Sequence, residues 1–115
     1  MKAAEKETSA ASDSKEAAIK NMGGLVWLYE KHILLFRQNY AGSAAEVERL
    51  LKEDRYTEAR TYIHSIKGLA GTLGLDQLYL SASALEKALS AADPAPESQI
   101  TEYKNHLIRF ISGSE

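Results

Sequence analysis

The sequence predicts an all-α fold, an antiparallel up-down-up-down four-helix bundle capped by a short N-terminal helix. Apolar residues recur at three- and four-residue spacings in four long stretches, and no stretch alternates apolar and polar residues as a half-buried strand would. Glycines and both prolines fall mostly where one periodic stretch ends and the next begins. Short connections then leave neighbouring helices an antiparallel arrangement as the way to bury their apolar stripes.

Residues 1–14 (MKAAEKETSAASDS) combine Ala, Ser, Lys and Glu without an apolar stripe. They read as a disordered linker or cloning remnant, of a composition suited to a tether. The folded domain is expected over residues 15–115. A short helix, about Lys15 to Met22, puts Ala18, Ile19 and Met22 on one side and stops at Gly23-Gly24. One long helix is expected from about Leu25 to Glu53. Along it Leu28, His32, Phe36, Tyr40, Val47 and Leu51, joined by Leu25, Tyr29, Ile33 and Leu50, fall in one sector at about 100° per residue. The phase holds through Gly42, placed on the polar side, where glycine weakens a helix without breaking it.

The next helix, about Tyr56 to Leu73, is expected to bury Ala59, Tyr62, Ile66, Leu69, Ala70 and Leu73, with Gly74 as its stop. Another starts near Leu75 or Asp76 and repeats Leu75, Leu78, Ala82, Leu85, Leu89 and Ala92 until Asp93-Pro94-Ala95-Pro96 ends it. The last, about Glu97 to Ser112, presents Ile100, Tyr103, Leu107, Phe110 and Ile111.

Composition narrows the function. A chain of 115 residues, 44% apolar and 26% charged, suits one hydrophobic core. Without cysteine there are no disulfides and no thiolate metal sites, which suits a reducing cytosolic setting. Fourteen Lys plus Arg against sixteen Asp plus Glu, with no long block of either sign, disfavour a nucleic-acid or membrane-surface binder. No run approaches the roughly 18 apolar residues of a membrane span, and the GxGxxG, Walker A, HExxH and GxSxG patterns are missing.

One helical face stands out. With His64 set at zero, Lys67, Gly68 and Gly71 lie within about 60°, as does Arg60 one turn earlier, while the expected buried set centres on the far side. Glycine inside a helix costs about 0.5–1 kcal/mol relative to alanine, so two on one exposed face require a compensating use. Either another helix packs closely there, or bare backbone lets a partner's active site descend onto the imidazole. Lys67 and Arg60 are ordinary solvated charges on one reading. On the other they screen an incoming anion beside a nucleophilic ring.

The string His64-Ser65-Ile66-Lys67-Gly68-Leu69-Ala70-Gly71-Thr72-Leu73-Gly74 resembles the signature of histidine-containing phosphotransfer (HPt) domains. His64, Lys67, Gly68, a small residue at 71 and Leu73-Gly74 all agree with it. Upstream, Gly24, Leu28-Tyr29, Ile33 and Phe36 resemble the family's entry into its first long helix, so the likeness spans about residues 15–112. The resemblance implies a four-helix bundle that relays phosphoryl groups in two-component signalling as a phosphohistidine carrier without kinase activity. His64 would accept phosphate, typically at Nε2, from a receiver aspartyl phosphate and pass it to another receiver aspartate. Lys67 would assist with charge, Gly68 and Gly71 would keep access clear, and Gly74 would end the helix. No cofactor is implied on this chain, since the receiver supplies the acidic pocket and Mg²⁺. The implied partners are receivers of a hybrid sensor kinase and of a downstream regulator. The implied setting is the cytoplasm, either free or as a domain of a membrane-anchored hybrid kinase, and a monomer is expected. His32 departs from the apolar residue common at its position.

The other candidates are weaker. His32 reads as a core or boundary histidine and His106 as a solvated one. Glu-x-x-His pairs are absent, so no metal site is expected. Trp27 and Leu34, opposite the core sector of their helix, are either scattered surface residues or a platform for a receiver's helix neighbouring the His64 face. Thr57 and Thr61, with Tyr56, could join that docking surface. Six tyrosines without a basic groove do not suggest base stacking. The alternative function is a non-catalytic helical adaptor that docks a receiver or kinase domain without phosphorylation.

Overall fold

The structure, a computed structural model, describes residues 10–91 and 96–113. Among these, six helices and no strand occur: α1 Ala10–Asn21, α2 Val26–Tyr40, α3 Ser43–Lys52, α4 Tyr56–Thr72, α5 Asp76–Ser90 and α6 Glu97–Ile111. The all-helical expectation is met. α1 begins at Ala10, within the stretch expected as a linker, while residues 1–9 lie outside the described residues. Alanine, lysine and glutamate favour helix, and the start of α1 is tied down where the Ser14 hydroxyl donates to Asp76 Oδ2 at 2.7 Å.

The single long helix expected over Leu25–Glu53 is two helices. Ala41 still holds helical dihedrals at the end of α2, and the chain departs from them at Gly42, which takes φ −95° and ψ 15° ahead of α3. The apolar phase nonetheless continues across the bend, since Tyr29, Phe36, Ser43 and Leu50, seven residues apart, are all buried. Ser43 lies on that same buried line, and its hydroxyl meets Tyr103 Oη at 2.6 Å. A sequence pattern built from apolar residues omits this position.

The core gathers Phe36 and Val47 from the α2–α3 arm, Ile63 and Ile66 from α4, Leu78 and Leu85 from α5, and Tyr103 and Phe110 from α6. The Phe36 and Phe110 rings meet edge to face at 5.5 Å, a geometry favoured by their quadrupoles. α4 packs most extensively against α5, and α5 against α6. That packing corrects the predicted face of α4. Ile63 is fully buried, whereas Leu69, expected inside, is 41% exposed. Ala59, Ile63, Ile66 and Ala70 centre about 230° from His64, turned toward α5 from the diametric position. Tyr62 is half-buried, and Leu25 and Ile111, also expected inside, are exposed. Ala92 and the Asp93–Pro94–Ala95 segment lie outside the described residues; Pro96 caps the start of α6.

The α4–α5 connection positions the face of interest. Gly74 adopts φ +70°, a left-handed conformation that glycine enters without a Cβ penalty. The Leu75 N–H donates to the Ala70 carbonyl at 2.9 Å and the Gly74 N–H to the Gly71 carbonyl at 3.2 Å, which satisfies carbonyls left open at a helix end. α1 also lies against this turn, because a Cβ on Gly74 would run into the Ser14 carbonyl.

Candidate functional site

His64 stands in the middle of α4 with its side chain 65% exposed. Its Nδ1 lies 2.7 Å from Glu86 Oε2 on α5, and the other oxygen of the same carboxylate, Oε1, lies 2.6 Å from Lys67 Nζ. Glu86 therefore bridges the imidazole and the ammonium. The hydrogen bond from Lys67 holds the Glu86 carboxyl below the usual carboxylate range, against its partial burial, with a further contribution from His64. Glu86 in turn raises the Lys67 ammonium above its ordinary value. An ionised carboxylate has acceptors only, so Nδ1 carries the hydrogen and donates it. In the neutral ring the lone pair is then on Nε2, the nitrogen not engaged by Glu86.

The two glycines of this face differ. An added Cβ at Gly68 would meet nothing within 4 Å, so the backbone beside His64 is open. At Gly71 an added Cβ would lie 3.2 Å from Cδ1 and 3.3 Å from Cε1 of Tyr79. The bareness of Gly71, expected to serve access, accommodates a ring from α5. The close-packing account thus applies to Gly71, while the backbone at Gly68 is left open.

Arg60, Thr57 and Thr61 are exposed one to two turns before His64 on the same side of α4. The Thr61 carbonyl accepts from the Ser65 hydroxyl at 3.2 Å. Trp27 and Leu34 are exposed, as surface residues opposite the buried side of α2. A groove between α2 and α4 is lined by His32, Leu35 and Asn39 from α2 and by Leu69 and Thr72 from α4. Trp27 and Leu34 project about 210° around α2 from His32, away from that groove. His32 is exposed and not a core residue, because the buried side of α2 centres on Tyr29 and Phe36. His106 is also corrected: its side chain is 15% exposed, with Nε2 3.9 Å from Glu102 Oε2.

Sequence reasoning missed Glu86 and Tyr79. The signal for Glu86 was its place twelve residues after the Gly74 turn, against ten for His64 before it, on the flank of the Leu78, Ala82, Leu85, Leu89 stripe. Two helices folding back at Gly74 bring such positions to the same level.

The family model for the Hpt domain matches residues 33–112, more than half of the chain, and the chain belongs to that family. No curated protein and no solved structure matches it. Membership assigns a phosphotransfer-related role in two-component signalling, in which Hpt domains typically meet receiver domains. Among the described residues, no helix is long and apolar enough to cross a membrane.

Proposed function

We propose that the chain is a phosphocarrier of a multistep phosphorelay, with His64 as the residue phosphorylated. The observation that carries this reading is an exposed imidazole whose Nδ1 is held on an anionic carboxylate, which leaves Nε2 unengaged by Glu86, one turn from the open backbone of Gly68. The domain spans residues 15–115 as an up-down-up-down bundle whose first arm is the bent pair α2–α3, followed by α4, α5 and α6, with α1 as a cap.

The Nε2 lone pair attacks the phosphorus of a receiver aspartyl phosphate. A P–N bond forms while the P–O bond to the aspartate breaks, and the electron pair leaves with the aspartate carboxylate. The ring becomes cationic, and the Glu86 carboxylate facing Nδ1 stabilises that charge without a proton having to move. Lys67 sits on the same carboxylate and offsets charge on the arriving phosphoryl oxygens. Attack by an aspartate of a second receiver reverses these steps and restores the neutral ring. Mg²⁺ held in the receiver's acidic pocket supplies charge neutralisation at the phosphoryl oxygens. The protein needs no catalytic machinery beyond a rigid helix that positions one nitrogen, and it acts in the cytoplasm, where receivers operate.

The test is incubation with phosphorylated receiver domains, followed by acid and alkali treatment of the labelled chain. Acid-labile, alkali-stable label that disappears in His64→Gln supports the carrier. Receivers that bind without transferring label would favour the adaptor.

A further inference from the structure

We infer that Tyr79 is a receiver-docking residue, a contact that sets how tightly the phosphorylated receiver is held without taking part in bond making. The inference rests on the carrier reading of His64 and extends it to the surface the partner must cover.

Tyr79 lies in the first turns of α5, seven residues before Glu86, and so on nearly the same side of that helix about 10 Å along its axis. On α4 the matching interval runs the other way, from His64 to Gly71. Glu86 faces His64 and Tyr79 faces Gly71, which makes one strip of the two helices. The stretch of α4 between the two ends of the strip includes Gly68, where no side chain rises and an added Cβ would find open space.

The Tyr79 ring rests on bare α4 backbone at Gly71, yet the residue is 39% exposed. An aromatic ring that is supported from below and open above offers apolar contact at little entropic cost, with a polar tip, the combination for which tyrosine is enriched at interfaces. Size decides whether a receiver would reach it. An interface burying about 600–800 Å² per partner covers a disc of roughly 14–16 Å radius. A receiver that centres its acyl phosphate on Nε2 of His64 therefore covers a residue about 10 Å along the strip. The positive charge of Lys67 and Arg60 on this face complements the receiver's acidic pocket. At that distance the ring does not reach the transferring phosphorus, so its contribution is confined to holding the partner.

The experiment compares two phosphodonors on the wild type, Tyr79→Ala and Tyr79→Phe. One is phosphoramidate, too small to touch Tyr79 and His64 together. The other is a receiver domain, phosphorylated on its aspartate, that transfers to the wild type. With phosphoramidate, all three chains should label His64 at rates within twofold of each other. With the receiver, Tyr79→Ala should raise the half-saturating receiver concentration by about 5- to 30-fold and leave the plateau rate unchanged. Tyr79→Phe, which keeps the ring on Gly71, should stay within threefold of the wild type. An unchanged half-saturating concentration in Tyr79→Ala, or a loss confined to the plateau rate, would overturn the docking role while leaving the carrier reading intact. Failure of phosphoramidate and of every receiver to label His64 in the wild type would bring down the carrier reading and this inference with it.

Discussion

Gly68→Ala separates stability from function in a way that a purely structural role for Gly68 would not. The residue is interior to α4 and an added Cβ meets nothing within 4 Å. The methyl therefore brings no clash within the chain, and the gain in helix propensity should stabilise the fold by about 0.5–1 kcal/mol. With a urea dependence of about 1–3 kcal/mol per molar, the unfolding midpoint should rise by roughly 0.2–1 M. The same methyl stands one turn from His64, about 6 Å along the axis and 40° around it, on the surface that a receiver must approach. A steric cost of about 1–2 kcal/mol in the encounter, at the lower end of overpacking penalties, slows receiver transfer by roughly 5- to 30-fold. Urea unfolding followed by circular dichroism reads the first effect and single-turnover transfer from a phosphorylated receiver reads the second. A less stable variant would refute the open-space reasoning. Wild-type transfer in both Gly68→Ala and the bulkier Gly68→Gln would refute the access reasoning.

Gly74→Ala should act in the opposite direction. Its φ of +70° costs an alanine about 1–2 kcal/mol, and the new Cβ, 2.7 Å from the Ser14 carbonyl carbon, must push α1 away. A lower urea midpoint and faster hydrogen exchange in α1 are expected, and an unchanged midpoint would contradict the packing described. Tyr103 governs alkaline stability. Burial, opposed by its bond to Ser43, pushes its phenol from 10.0 up to about 12. The unfolded chain therefore ionises first, and stability falls between pH 10 and 12 by about 3 kcal/mol in all. Tyr103→Phe should remove that decline, at a cost of about 1–3 kcal/mol at neutral pH for stranding the Ser43 hydroxyl; an identical alkaline decline in the variant would assign it to other groups. Glu86 governs the acid side. Its carboxyl is depressed by Lys67 and then His64, so the bridge is intact above the ordinary carboxylate value of 4.5 and opens as pH falls below it. Nitrogen-15 NMR of the His64 ring should show Nδ1–H as the dominant neutral tautomer at pH 8 in the wild type and a shift toward Nε2–H in Glu86→Ala. Identical tautomer ratios would dissociate the carboxylate from ring orientation.

How far the sequence was legible depended on what kind of contact placed each residue. The heptad-like recurrence of apolar side chains exposed the helices, and the spacing of His64, Lys67 and Gly68 exposed the face proposed to carry the chemistry, because these are local facts of one helix. The bend at Gly42 was not local. It is associated with the buried pairing of Ser43 with Tyr103, sixty residues apart, and periodicity contains no trace of such a partner. Glu86 escaped for the same reason, since a glutamate on the flank of an amphipathic helix is indistinguishable from solvated charge until the neighbouring helix is in place. Leu69 and Ile63 exchanged places because the direction from which α5 packs on α4 decides which edge of a broad apolar stripe is covered. His32 was drawn inside by the same breadth of stripe on α2. Gly71 illustrates a subtler limit: interior glycine announces a close approach, but not whether the visitor is a partner or, as with Tyr79, a ring from the chain itself.

The central claim is that a phosphoryl group resides covalently on Nε2 of His64. Phosphorus-31 and nitrogen-15 NMR of the chain after exposure to a phosphorylated receiver tests it most directly. A P–N linkage at the Nε2 of His64, absent in His64→Gln and discharged by a second receiver, is the predicted result. A phosphorylated chain whose label survives acid, or whose label persists in His64→Gln, would contradict the account.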